Sequence, residues 1–239
     1  MRKLLTATVS TATLALAAGG ALAQSEGEAV DLSDWTYADV YESARLSGET
    51  LLEMDVVGQN GEEFGEVENV WLDGERIAAV SFETGGFLDV GDSHVIAPWD
   101  EMSMRDGRMV APVSEETIED YDMWREGSTL SAQLDEVERA DDGDVYASES
   151  VFRLTDVIDD YAMAEDEAVG YVDDVLFSED GEVQAVVFIG PSGTFAAPFY
   201  GRDMGYAPRR AVYPLNYTAT EVESLEPFDR TRLELAGGA

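Results

Sequence analysis

The stretch FGEVENVWL at residues 64–72 decides the fold, because its apolar positions change parity half-way along. Val67 is followed three residues later by Val70 and then by Leu72, whereas an uninterrupted strand repeats its apolar side chains at every second residue. One extra residue in a strand, a β-bulge, moves all the following side chains to the other face. The stretch therefore predicts a bulged β-strand.

The same pattern returns in VGYVDDVLF at residues 169–177, where the parity changes again after Val172. The turns that follow the two stretches are also alike, since Asp73-Gly74-Glu75 has its match in Asp180-Gly181-Glu182. Two copies about 105 residues apart indicate duplication of a unit of about 70 to 80 residues, which is a plausible size for a small domain.

Further signals define the course of each copy. Asn60-Gly61 and Asp73-Gly74 predict type I′ hairpin turns, in which both central residues need a positive φ, and Asp106-Gly107 predicts a third hairpin. We match the segment VIAPW at residues 95–99 with AVYPL at residues 211–215. Each copy is then expected to close with a short helix, which begins at Ser114 to Thr117 in the first copy and corresponds to Thr220 to Leu225 in the second.

The repeated unit resembles the PRC-barrel family, a small β-barrel found in the H subunit of photosynthetic reaction centres and in a ribosome-maturation factor. The residues that carry the resemblance in the first copy are Gly58, Asn60-Gly61, GEVENV at 65–70, Asp73-Gly74, and the run from GGFL at 85–88 to APWD at 97–100. In the second copy they are GYVDDV at 170–175, Asp180-Gly181 and Pro214-Leu215. The pairing of an export signal with two units also resembles periplasmic PRC-barrel proteins of alphaproteobacteria. The resemblance implies docking or support of an assembly, and no shared catalytic residues.

The expected fold class is therefore all-β, with two small PRC-like β-barrels in tandem, a short helix after each and a linker between them. The expected division of the chain is a signal peptide at 1–23, an N-terminal arm at 24–49 lying against the first barrel, a first barrel at 50–122, an acidic linker at 123–149, a second barrel at 150–228 and a C-terminal tail at 229–239.

The first residues predict export to the periplasm. Arg2 and Lys3 precede an apolar run, and Ala21-Leu22-Ala23 supplies the small residues that a signal peptidase reads, so the mature chain is expected to begin at Gln24. No later run of apolar residues is long enough to cross a membrane as a helix. The chain also has no cysteine, which rules out disulfides, thiol catalysis and thiolate metal sites.

Charge excludes one class of partner and indicates an environment. The chain has 51 acidic residues against 14 Lys and Arg, a formal net charge of −37. Such a surface repels nucleic acid and anionic lipid, because phosphate binding needs clustered Lys and Arg. The acids are interleaved with large apolar residues, so the chain is expected to fold, and to be adapted to salty surroundings in which charge repulsion is screened.

Catalytic chemistry finds little support in the sequence. His94 is the only histidine, so any Ser-His-Asp arrangement would have to use it, but it lies beside a turn where a surface histidine is ordinary. The acidic pairs show no EF-hand spacing and are expected to form a solvated surface with diffuse cation association. We expect no cofactor and no built metal site.

One segment of the second copy combines aromatic rings with arginine. The residues proposed to contact a partner are Phe199, Tyr200, Arg202, Tyr206, Arg209 and Arg210. Tyr and Arg are enriched at interface hot spots, which favours a contact surface. The competing interpretation is a long hairpin whose rings pack inwards, and of the two we favour that packing.

Three hypotheses for function follow. The first is a non-catalytic binding or assembly-support protein that presents two barrels to a protein or an envelope-associated complex. The second is a hydrolase that uses two carboxylates in a cleft between the barrels, which requires at least one acid with a raised pKa. The third is an acidic surface protein that binds cations with low affinity.

Overall fold

The computed structural model of the chain describes residues 30–84, 93–114, 116–121, 138–139, 145–146, 151–201, 206–207 and 210–236. Strands dominate, as the sequence predicts, and the three α-helices of these residues are short: α1 is Tyr37–Ser43, α2 is Gly48–Leu52 and α3 is Ala219–Glu223. Single 3-10 turns occur at Trp99–Glu101, Ile118–Tyr121, Leu154–Asp156 and Arg230–Arg232. The signal peptide, the GGFL turn at 85–88, Arg202 and Arg209 lie outside the described residues.

The strands of the first half from residue 55 onwards form one sheet. Its strands are β2 (Asp55–Gly58), β3 (Glu63–Asp73), β4 (Arg76–Thr84), β5 (Ser93–Pro98), β6 (Ser103–Arg105) and β7 (Arg108–Ala111), which follow β1 (Leu46–Ser47) in the chain. They lie in the order β5-β4-β3-β2-β7-β6, and the pair β2–β7 is parallel while the others are antiparallel.

The strands of the second half repeat this order. After the short pair β8 (Glu138–Arg139) and β9 (Val145–Tyr146) come β10 (Val151–Arg153), β11 (Tyr161–Ala164), β12 (Glu167–Phe177), β13 (Val183–Gly190), β14 (Gly193–Ala197) and β15 (Val212–Pro214). The order is β14-β13-β12-β11-β15, and the pair β11–β15 is again the parallel one. The two halves therefore share one connectivity, as the sequence repeat predicts.

Both predicted bulges are confirmed. The register of β3 against β4 shifts between Val67 and Asn69, and that of β12 against β13 shifts between Val172 and Asp174. A second shift follows at the same place in each long strand, between Trp71 and Leu72 and between Leu176 and Phe177. Because the bulged residue is skipped in the ladder, the side chains after it change face, and Val70 and Leu72 join Val67 in the main core.

Two predicted turns differ in type from the expectation. Gly61 has a positive φ of 83° while Asn60 has none, and in the hairpin closed by Asp73 and Arg76 only Gly74 has a positive φ, of 59°, which is the pattern of a type II′ turn. A type I′ turn forms instead at Asp106 (54°) and Gly107 (74°), which join β6 to β7.

The match between residues 95–99 and residues 211–215 is wrong. In the structure β14 holds the place of β5, because Val186 pairs with Ala197 as Val80 pairs with Ala97. The strand β15 holds the place of β7 at the parallel pairing. Residues 193–197 are therefore a regular strand at the edge of the second sheet.

The described part of the N-terminal arm, from residue 30 onwards, packs against the second sheet, whereas packing against the first barrel was expected from the sequence. Trp35 donates its indole N–H to the carbonyl of Ala196 (3.2 Å), and Val40 of α1 is buried in a cluster with Val187 and Phe228. The arm's aromatic side chains pack there on apolar residues of the strands. The sequence does not predict this choice, because both sheets offer similar apolar residues.

A single main core joins the two halves. One buried cluster contains residues of both sheets, among them Val67 and Phe82 from the first and Val172 and Phe188 from the second. Burial of this many large apolar side chains is the principal stabilising contribution to such a fold.

Candidate functional site: the tyrosine row on the second sheet

A row of uncharged side chains crosses the outer face of the second sheet. Tyr161 of β11 pairs with Tyr171 of β12, and directly opposite residues of an antiparallel pair project to the same face. The row extends over the neighbouring strands through the pairings of these two tyrosines. This tyrosine row consists, in strand order, of Val212, Tyr161, Tyr171, Ile189 and Thr194.

Its two central rings are open to solvent. Tyr161 is 60% exposed and Tyr171 is 42% exposed, and they are the exposed large hydrophobic side chains of the described part of the chain. On β13 of the same face, Val187 is buried beneath the N-terminal arm, while Ile189 beside Tyr171 is half-buried. The tyrosine row thus continues an apolar face that the arm covers only in part.

The first sheet places charged side chains at the equivalent positions. Asp55 pairs with Glu66 where Tyr161 pairs with Tyr171, and Glu83 pairs with His94 where Ile189 pairs with Thr194. Extending the register of Val56 with Met109 and of Val67 with Phe82 by one residue places Arg108 next to Asp55 and Glu83 next to Glu66. This charged row consists, in strand order, of Arg108, Asp55, Glu66, Glu83 and His94.

Ion pairs connect the charged row to its surroundings. The guanidinium of Arg108 lies 3.4 Å from a carboxylate oxygen of Glu63 and 4.0 Å from one of Asp55. The ring of His94 lies 3.1 Å from a carboxylate oxygen of Glu68, an acid of the same sheet. Five equivalent positions are therefore charged or titratable in one sheet and uncharged in the other.

One sequence-predicted contact residue lies beside the tyrosine row. Arg210 is exposed and precedes Ala211, whose carbonyl accepts the backbone N–H of Tyr161 (3.1 Å). The chain at Arg210 thus runs along the edge at which the tyrosine row begins. A positive charge here is notable in a chain with 51 acids, because it supplies direction to an otherwise apolar contact.

The predicted aromatic contact residues pack inwards. Phe199, Tyr200 and Tyr206 are all buried, and the ring of Phe199 stacks at 5.6 Å on that of Tyr213. The hydroxyl of Tyr206 donates to the carbonyl of Asp156 (2.6 Å). Their burial supports the packing interpretation for these three rings, and partner contact through Arg202, Arg209 and Arg210 stays a prediction.

Sequence reasoning missed Tyr161 and Tyr171, because the signal for them becomes visible only when the strand pairing is known. When the two copies are superimposed by strand pairing, Tyr161 falls on Asp55 and Tyr171 on Glu66. In two cross-strand neighbours an aromatic residue thus takes the place of an exposed acid, so this surface differs in chemistry between the copies.

Two buried acids are the candidates that a hydrolase would need. Burial raises the pKa of Asp160 to about 6, with a further contribution from the charge of Asp156, and burial also raises the pKa of Asp174. Asp174, however, receives hydrogen bonds from Ser47 and from backbone N–H groups, which occupy both of its oxygens. Asp174 therefore links residues 47–49 to β12.

The described residues form an open groove of about 560 Å³, lined by residues 164–168 and Ala219. This groove belongs to the second half alone and contains neither Asp160 nor Asp174. Within the residues that the structure describes, no group of three or more His, Asp or Glu side chains is placed to hold a metal ion. The required cleft between the halves is thus not the concavity observed in this part of the chain.

Residues 45–118 match the family model of the PRC-barrel domain. A PRC-barrel domain is therefore present in the first half, and the match begins immediately before β1 and ends at Ile118. PRC-barrel domains are generally non-catalytic and often mediate protein interactions. No curated protein matches the chain. None of the helices in the described ranges has the length and apolar character that a membrane crossing requires.

Proposed function

We propose that the protein is a non-catalytic binding or assembly-support protein of the periplasm, and that its tyrosine row binds a protein partner. The observation that carries the proposal is the cross-strand pair of exposed tyrosines, Tyr161 and Tyr171, on a sheet whose counterpart is charged at the equivalent positions. Tyrosine supplies a large apolar surface with few rotatable bonds, which makes it a frequent anchor of protein interfaces.

The expected partner surface is apolar at its centre and basic at its rim. A chain with a net charge of −37 repels acidic surfaces, so a partner that carries Lys or Arg is favoured both in approach and in orientation. Arginine in particular stacks on the face of an exposed tyrosine ring. Nucleic acid is the opposite of such a partner, because its phosphates carry the same sign of charge as this protein.

The second half, in this proposal, is a second PRC-like unit that has specialised for binding. Its strand order, its parallel closing pair and its bulge positions are those of the first half, which supports a common origin. The first unit keeps a charged surface and the second displays the tyrosine row. Duplication allows the two units to differ in this way, because one copy keeps the solvated surface while the surface of the other copy changes.

Periplasmic location rests on the N-terminal sequence. Arg2 and Lys3 before an apolar run, followed by Ala21-Leu22-Ala23, have the organisation of a cleaved signal peptide. Mass analysis of the protein recovered from periplasm should give a chain that begins at Gln24. A chain that retains Met1 in that fraction would contradict the export proposal.

Capture from a periplasmic extract tests the binding proposal. The tagged protein is compared with the double variant Tyr161→Thr/Tyr171→Thr, since threonine suits an exposed strand position and leaves the fold intact. The matched control is Asp55→Thr/Glu66→Thr at the equivalent positions of the first sheet. A partner that the wild type and the control retain and the tyrosine variant loses is the expected result. Equal retention by all three proteins would refute binding through the tyrosine row.

A further inference from the structure

The two halves exchange their leading segments, residues 45–52 and 151–157. The strand β1 of the first half pairs with β12 of the second, with Leu46 opposite Phe177. The strand β10 of the second half pairs with β3 of the first, with Phe152 opposite Leu72. The long strands β3 and β12 are therefore each paired with a short strand that comes from the other half of the chain.

A buried polar side chain anchors each leading segment at the bulge. Asp174 accepts the Ser47 hydroxyl (2.7 Å) and the backbone N–H of Glu49 (3.0 Å). Asn69 donates its amide to the Thr155 hydroxyl (2.7 Å) and accepts the backbone N–H of Thr155 (3.4 Å). The anchors are formed only when a segment from the other half is in place.

Apolar burial accompanies these hydrogen bonds. Leu46 and Leu51 of one leading segment, and Phe152 and Leu154 of the other, are almost completely buried. A methyl group added at Gly48 would lie 2.8 Å from a side-chain carbon of Leu154, so the two leading segments also touch each other. Each half alone would expose these side chains and leave its polar anchor unsatisfied.

The hairpin turns of the halves meet next to this exchange. The backbone N–H of Ile77 donates to the carbonyl of Gly181, and that of Val183 donates to the carbonyl of Glu75, both at 2.8 Å. These bonds place Arg76 opposite Glu182 in an antiparallel bridge. Because equivalent turns face each other, the arrangement has the two-fold character of a dimer of units.

We infer that the halves are obligate partners of each other, and that the exchanged leading segments, not the chain that links the halves, hold them together. Each half thus binds one specific segment of the other half. That segment is a short strand followed by a helical turn, and it offers a backbone N–H and a hydroxyl to the buried polar side chain at the bulge. The polypeptide behaves as a covalently joined heterodimer of two related units.

Cleavage of the intact protein tests this inference. A recognition sequence for a specific protease is inserted between Asp142 and Gly143, and the folded full-length protein is cut there and passed over a size-exclusion column in native buffer. The two pieces are expected to elute together at the volume of the uncut protein and to melt in one transition. Elution as two separate species, or precipitation of either piece after cutting, would overturn the inference.

Two serine substitutions, compared with each other, test whether the leading segments hold the two pieces together. In the cut protein, Ser47→Ala removes the hydroxyl that donates to Asp174 and should weaken the association of the pieces roughly tenfold or more. Ser114→Ala is the control, because Ser114 contacts Thr117 within the first half. It should leave the association unchanged. An equal effect of both substitutions, or no effect of Ser47→Ala, would assign the association to general packing and contradict the exchange.

Discussion

Asn69 and Asp174 occupy the same position in the two sheets, directly after the bulge of the long strand, and both are buried. Each accepts two backbone N–H groups on one side-chain oxygen, from the next residue of its own strand and from the leading segment of the other half. They differ in charge, since one is an amide and the other a carboxylic acid. The natural chain thus contains, in its first half, a neutral amide at the position where Asp174 places a carboxyl group.

Asp174→Asn should stabilise the protein at neutral pH. Burial raises the pKa of Asp174, so its ionised form is less favourable in the folded protein, while an amide keeps both backbone contacts and can donate to Ser47. An increase in melting temperature of roughly 2–4 °C is expected, which corresponds to about 1 kcal/mol for a chain of this size.

The reciprocal change, Asn69→Asp, serves as the control for this site. It introduces a buried carboxylate and removes the donor to Thr155, so it should lower the melting temperature. A destabilised Asp174→Asn variant would mean that the negative charge itself, through Arg230 nearby, is what the site requires.

The bulges were predictable from sequence, whereas the tyrosine row was not. Side chains alternate along a strand, so an extra residue is visible as a change of parity between Val67 and Val70. Tyr161 and Tyr171 lie ten residues apart on different strands, and only the register of those strands brings them together. The aromatic segment that local composition does reveal, around Phe199, is rich in rings because it fills the core.

The exchange of leading segments could not be predicted from the sequence either. The strand β1 has two residues, and its partner Phe177 is far away in the chain, so neither pattern nor proximity connects them. The mistaken match of residues 211–215 with residues 95–99 has a similar origin, because a proline after an apolar run occurs both in β15 and at the end of β5. Strand pairing resolves what such short local similarity leaves ambiguous.

Asp160 should make stability depend on pH. Its ordinary pKa of 3.8 is raised to about 6 in the folded protein, chiefly by burial, and one of its oxygens has no hydrogen-bond partner. Between about pH 4 and pH 6 the folded form therefore binds a proton that the unfolded form has released, so stability falls as pH rises through this window.

Asp160→Asn should remove that part of the fall and raise the melting temperature at pH 7. Thermal melts of wild type and variant at intervals from pH 4 to pH 8 measure the difference. Asp159→Asn is the control, because Asp159 has a positive φ of 70° that asparagine tolerates and its side chain is exposed. If the melting temperatures of wild type and Asp160→Asn change in parallel between pH 4 and pH 8, ionisation of Asp160 does not destabilise the folded protein, and the prediction is wrong.

Salt should stabilise the protein. The 51 acids repel one another at low ionic strength, and the screening length falls from about 10 Å at 0.1 M to about 3 Å at 1 M. The melting temperature is expected to rise with NaCl and equally with KCl. A flat or falling curve would contradict adaptation to salt, and stabilisation by millimolar Ca²⁺ alone would indicate a specific cation site.

Site-specific photo-crosslinking tests the central claim, binding of a protein partner through the tyrosine row, most directly. A photoreactive phenylalanine analogue replaces Tyr161 in one full-length protein and Asp55, its exposed counterpart in the first sheet, in another. After irradiation with periplasmic extract, position 161 should give a discrete protein adduct that position 55 does not give. Adducts of equal yield at both positions, or an adduct at position 55 alone, would contradict the account.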